Sequence, residues 1–224
     1  MPWRWELADQ ERTWRPYVAL ALVGVVLLFF WSSPLLWPIK IVVVLFHELG
    51  HALAAWITGG EVQEIQLAPT QAGLTLTRGG WPVLILNAGY LGSLLAGVGL
   101  LLATRSKRAI RVLAWVLPAI LLVTGIALVR PILGFGFVFT VIAALGFGVL
   151  ARYGATDLVR WVLRGLGVFS VLYALFDIRD DVFLGGGQSD AHMLAQITFV
   201  PAAVWGLGWI ALGIGVLWLL RKHL

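Results

Sequence analysis

Apolar runs of roughly 20 residues, the length that crosses a bilayer as a helix, recur along this chain with only short polar joints between them. They predict membrane-spanning helices at about 17–37, 38–57, 81–103, 110–129, 131–150, 157–176 and 197–220. The count is six or seven. Ser32, Ser33, Pro34 and Pro38 interrupt the first pair, and Arg130-Pro131 leaves almost nothing between the fourth and fifth runs. The joints are too short for a separate soluble domain. The expected organisation is therefore a polar, mixed-charge arm over 1–16 and a single transmembrane domain over 17–224. No small-residue cleavage site follows a short apolar stretch, so the arm reads as leading into a retained helix.

The period changes between the second and third runs. In "EVQEIQLAPTQAGLTLTRGG", Val62, Ile65 and Leu67 lead into Ala68-Pro69-Thr70, and Leu74 and Leu76 then alternate with Thr75 and Thr77. Alternation on both sides of a turn predicts a β-hairpin over about 61–78. Nearer the C-terminus, "FDIRDD" runs into "FLGGGQSD", which predicts an acidic, glycine-rich loop at about 177–196. The fold class that results is an all-α polytopic membrane protein with six or seven transmembrane helices and one short β-hairpin.

Composition supports this and narrows the chemistry. Of 224 residues, 60% are hydrophobic and 12% charged, and the mean hydropathy is +0.93, outside the range of soluble domains. The net charge of +5 is read as basic residues marking cytoplasmic helix ends, so no nucleic-acid partner is expected. Their distribution favours an N-terminus outside and a C-terminus inside. The chain has no cysteine, which removes disulfides, thiol nucleophiles and thiolate metal sites. Any metal must be held by histidine and carboxylate. Compact size and the lack of targeting signals point to a multi-pass protein of a prokaryotic plasma membrane.

Residues 47–51 read His-Glu-Leu-Gly-His inside an apolar run. On a helix, His47 and His51 lie about 40° apart on one face, one turn apart, so both imidazoles reach one cation. Glu48 lies about 60° round from His51, placed to hold a metal-bound water without being a ligand. A metal-lowered water pKa and a carboxylate that takes and passes on the proton are what metal-assisted hydrolysis needs. Ionisable groups within a span are expensive and mark function. Gly50 and the small residues Ala52, Ala54 and Ala55 offer a flank for close helix approach.

A catalytic zinc takes three protein ligands plus water, so one is missing. The candidates are Asp177, Asp180, Asp181, Asp190 and His192. Helix direction favours Asp177, because the second and sixth runs point the same way and their C-terminal ends emerge on the same face. The other four remain open.

With the His-Glu-Leu-Gly-His helix, the hairpin after it, "NAGYLGSLLAG" at 87–97, and "LFDIRDD" followed by "SDA", the sequence resembles the M50 (site-2 protease) class of intramembrane zinc metalloproteases, and more closely its M50B-like branch. The resemblance implies one zinc ion per chain, with His47 and His51 as ligands, Glu48 as general base and an aspartate from a later span, here Asp177, as third ligand. It implies hydrolysis of peptide bonds in membrane-embedded or membrane-adjacent protein substrates through a metal-activated water. The hairpin resembles the family's substrate-guiding one. A helical substrate must be locally unwound before it is cut, and an unwound backbone in hydrocarbon needs hydrogen-bond partners, which strand 61–67 or 72–77 would supply by strand addition. In "NAGYLGSLLAG", Ala88, Gly92 and Ala96 form a small-residue stripe that would let the third run pack against the metal helix, and Asn87 is a candidate for bonding a substrate carbonyl or a ligand.

Two other classes compete. One is a catalytically inactive M50-like protein that binds client helices, or a metal-handling membrane protein using His47 and His51; Glu48 argues against both, since binding alone needs no carboxylate poised for proton transfer. The other is a different protease chemistry, with Ser93 and His192 or with Asp177 and Asp190, neither of which has a supporting motif. Expected partners are a membrane protein or peptide substrate and the lipid bilayer. The sequence leaves the oligomeric state open.

Overall fold

The computed structural model describes residues 29, 30, 33–179, 182 and 189–220. The first apolar run, the 1–16 arm, Asp180, Asp181 and the glycine-rich stretch 183–188 lie largely or wholly outside them.

A short 3₁₀ turn at Pro34–Leu36, capped by the Ser33 hydroxyl, leads into α1 (Trp37–Ile57). Pro38 stands at the start of α1, where its missing N–H is not needed. The helix ends at Thr58, whose hydroxyl donates to the Ala54 carbonyl at 2.7 Å. Gly59, at φ +79°, then turns the chain back on itself. The strands β1 (Glu61–Leu67) and β2 (Gly73–Arg78) pair antiparallel, with Ile65 opposite Thr75 and Leu67 opposite Gly73 and an irregularity between Val62 and Glu64. Then follow α2 (Pro82–Ala103), α3 (Lys107–Ala127), α4 (Phe135–Tyr153), α5 (Thr156–Arg179), a short α6 (Asp190–Thr198) and α7 (Ala202–Leu220).

Six helices among the described residues are long and apolar enough to span a membrane: α1 with its leading turn, α2, α3, α4, α5 and α7. The protein is an integral, multi-pass membrane protein. The most enclosed span is α1, and α4 and α7 are the least. Trp115, Val123 and Ile126 on α3, and Ile142, Leu145 and Val149 on α4, are exposed, as a lipid-facing surface requires. Residues 177–179 and 190–196, expected in a loop, are helical: α5 runs on to Arg179, and Ala191 and Leu194, three apart and fully buried, anchor α6 against Tyr90, Ile178 and Trp209.

The hairpin runs alongside α1. Its base is tied to the helix's C-terminal end by the Gly60 N–H on the Ala55 carbonyl (2.8 Å) and the Trp81 N–H on the Thr58 hydroxyl (3.0 Å). Its tip is tied to the N-terminal end by the Trp37 indole N–H on the Pro69 carbonyl (2.7 Å). Non-helical backbone is tolerated at membrane depth only where protein or a water-filled cavity satisfies it. Here the α3–α4 connection covers the outer edge of β1: the Ile65 N–H donates to the Leu128 carbonyl and the Arg130 N–H to the Ile65 carbonyl, both at 2.9 Å. Ile65, Leu67 and Val129 are buried in the same core as α1.

Candidate metal centre

One turn of α1 carries both histidines. Their ring centroids are 4.7 Å apart with planes nearly perpendicular, so the two Nε2 atoms converge rather than stack. The His51 Nδ1 lies 2.7 Å from the Ile85 carbonyl of α2. A carbonyl only accepts, so Nδ1 carries the proton and a neutral His51 presents a bare Nε2. His47 meets the edge of the buried Tyr90 ring at 4.8 Å.

The space for the two imidazoles comes from α2. A Cβ on Gly89 would stand 2.6 Å from the Cε1 atoms of both His47 and His51. One turn on, a Cβ on Gly92 would stand 2.7 Å from the Gly50 Cα, and one on Gly50 would stand 2.9 Å from the Ala88 carbonyl carbon. These contacts put α2 directly against the metal-type helix through the small-residue stripe, as expected. Asn87 does not face the histidines: it donates to the Val83 carbonyl (2.7 Å) and accepts from the Trp209 indole (2.9 Å), joining α2 to α7.

The carboxylate that reaches the histidines is Asp190. Its Oδ2 lies 3.1 Å from His47 Nε2 and 3.3 Å from His51 Nε2. His47, His51 and Asp190 form one group whose ligand atoms all lie within 4.8 Å of one another. Atoms bound tetrahedrally to zinc at about 2.0–2.1 Å stand about 3.3 Å apart; the two distances from Asp190 Oδ2 to the imidazole nitrogens match this, and this set of nitrogen and oxygen donors suits a zinc ion. Burial alone would raise the Asp190 pKa, but the two imidazoles beside it outweigh burial and hold the carboxyl below the usual range.

Asp177, favoured as third ligand from helix direction, lies half-buried near the end of α5 and is not one of this group. The direction argument ranks the ends of long helices. The residue that arrives is instead at the start of the short helix α6. The signal for it was present: Ser189-Asp190 ahead of Ala191 and Leu194 is a helix N-terminus by composition and spacing. The Ile85 carbonyl gave no sequence signal, because any residue supplies one. His192 points elsewhere, its Nδ1 lying 2.9 Å from the Ser189 hydroxyl. Ser93 is buried with its hydroxyl on the Tyr90 carbonyl (3.1 Å), so it makes no pair with His192 among the described residues.

Glu48 is buried on the neighbouring face of α1. The Thr75 hydroxyl of β2 lies 2.7 Å from its Oε2 and 3.1 Å from its backbone carbonyl.

His-Glu-x-x-His thus stands in the most enclosed span of a polytopic helical protein, with a partly buried aspartate beside both histidines. A family model described as Peptidase M50B-like matches residues 19–220. The chain belongs to that family. No curated protein and no solved structure matches it.

Proposed function

We propose that the protein is an intramembrane zinc metalloprotease in which His47, His51 and Asp190 hold the metal and Glu48 is the general base. The observation that carries this reading is the convergence of the His47, His51 and Asp190 donor atoms within 4.8 Å of one another, with the His51 Nδ1 turned to the Ile85 carbonyl, beside a buried glutamate one residue from a proposed ligand. Zinc, when bound, supplies a Lewis acid that polarises a substrate carbonyl and acidifies water. The chain's own residues do the rest. Glu48 takes a proton from the attacking water and delivers it to the leaving amine. The Ile85 carbonyl fixes the His51 ring, and burial of the group by α2 and α6 limits competing water.

The hairpin supports a role in presenting substrate. Because Ile65 turns its N–H and C=O outward to Leu128 and Arg130, the Ile65–Thr75 pair is the non-hydrogen-bonded kind. Thr75 therefore also turns its N–H and C=O outward, and by the period of two so do Gly73 and Thr77. Among the described residues no strand pairs with that edge. An unwound substrate segment gains its backbone partners there. Of the two strands, β2 is the one with an open edge.

Glu48→Gln should keep one zinc per chain and lose turnover by about 10²–10⁴-fold, the usual contribution of a general base. Elemental analysis beside a cleavage assay checks this. Cleavage undiminished in Glu48→Gln would remove Glu48 as the general base, whereas unchanged biological activity in a variant that no longer cleaves would favour the binding role. Thr77→Pro removes an outward N–H while leaving the β1–β2 ladder intact, and should reduce cleavage roughly fivefold or more at unchanged zinc content. An unaffected rate would remove β2 from substrate presentation.

A further inference from the structure

The contact between Thr75 and Glu48 joins two features the proposed reaction keeps separate. The hairpin is held against α1 at many points, but at the catalytic turn it meets the helix through Gly73 and Thr75. A Cβ on Gly73 would fall within the Glu48 carboxylate and 2.8 Å from the Val44 side chain, so any larger residue there would push the carboxylate from its place. Thr75, two residues on and on the same face of the strand, puts its hydroxyl 2.7 Å from Glu48 Oε2. The carbonyl oxygen of Glu48, 3.1 Å away, lies on the same hydroxyl. The backbone of Thr75 meanwhile directs its N–H and C=O to the open edge of the hairpin, as the outward bonds of its partner Ile65 require.

We propose that Thr75 is a positioning residue that couples substrate registration to the general base: its backbone offers the substrate strand a hydrogen-bonding site while its hydroxyl fixes the Glu48 carboxylate. This rests on the protease reading above and deepens it. The substrate residue paired with Thr75 is thereby the one nearest the base, so the hairpin sets which peptide bond is presented as well as holding the chain extended. The neighbouring side chains Leu74 and Leu76 point to the opposite, exposed face and take no part in this coupling. A carboxylate inside a span has three rotatable bonds, and without a donor on it the base would sample orientations that do not face the reacting water.

Thr75→Val keeps the shape and strand preference of the residue and removes only the hydroxyl; Thr75→Ser returns it. The probe is a leucine/alanine transmembrane peptide with a central Asn-Gly break and a fluorophore–quencher pair, reconstituted with the full chain in vesicles. Thr75→Val should lower kcat about 10- to 100-fold, the range for losing a hydrogen bond to a charged group, with KM and zinc content within about twofold of wild type, because the backbone edge and the ligands are untouched. Thr75→Ser should recover most of the rate. Independently of turnover, glutamate-specific ¹³C labelling and a wild type minus Glu48→Gln infrared difference isolate the Glu48 carboxylate stretch. That band should shift in Thr75→Val and return in Thr75→Ser. An unshifted band, or Thr75→Val at full kcat where Glu48→Gln is dead, overturns the coupling alone. A wild-type chain that leaves the probe intact counts against the protease reading, while the infrared band still decides whether Thr75 holds Glu48.

Discussion

Asp190→Ala will emerge from detergent purification without zinc and without proteolytic activity, whereas Asp177→Ala will keep both. Among the described residues, Asp190 supplies the only carboxylate oxygen within 3.3 Å of both histidine Nε2 atoms. Removing it leaves two ligands for an ion that takes three from the protein in catalytic sites. Loss of one of three ligands should weaken zinc binding on the order of 10³-fold or more, given the free energies of protein zinc sites. Asp177 sits near the end of α5, outside the group whose donor atoms converge, so the proposed coordination does not call on its carboxylate. Elemental analysis of wild type and both variants, with circular dichroism to confirm that each is folded, decides the matter. Zinc retained by Asp190→Ala, or lost from Asp177→Ala, would return the third ligand to the sixth apolar run.

The second large effect is on stability, from one methyl group. Gly50→Ala will melt well below wild type and bind zinc poorly, although alanine is the better helix former by about 1 kcal/mol. A Cβ at this position would fall within the Ala88 carbonyl oxygen and stand 3.2 Å from the Gly92 Cα. Both obstacles are backbone, so no side chain can rotate away. The helices α1 and α2 must separate, a strain of about 3 kcal/mol or more. Because α2 also carries the Ile85 carbonyl that orients His51, the same separation loosens the metal-binding turn. Gly99→Ala, on α2 with nothing within 4 Å of the added Cβ, is the control and should melt at or slightly above wild type. Equal melting of Gly50→Ala and wild type would show that the helix contact is looser than these distances imply.

Much of this was legible in the linear order of residues, for identifiable reasons. Apolar runs near 20 residues demand helices because an unpaired peptide group in hydrocarbon is costly wherever it falls, and the runs from residue 38 onward correspond to α1, α2, α3, α4, α5 and α7. The hairpin was legible because a period of two cannot be mistaken for a helical one over this length. His47, Glu48 and His51 were legible because one helical turn fixes their mutual geometry before any tertiary contact forms. The short helix α6 was obscured by an expectation of loop beside a glycine-rich stretch, even though Ser189 and the Ala191–Leu194 spacing announce it.

What the sequence determined by itself is therefore everything set within one element: the spans, the strand pair, and a histidine pair with an acid beside it on one helix. Tertiary structure alone decided the rest. Among the described residues it brought Asp190 to the two histidines, turned the His51 ring to a main-chain carbonyl, used Gly89 to make room for two rings, covered one edge of the hairpin and left the other open, and laid Thr75 on Glu48. The physical reason is that each of these depends on atoms far apart in sequence meeting at a few ångströms. Backbone carbonyls, glycine gaps and strand edges are available at many positions, and only the packing of α1 against α2, α6 and the hairpin selects which of them the site uses.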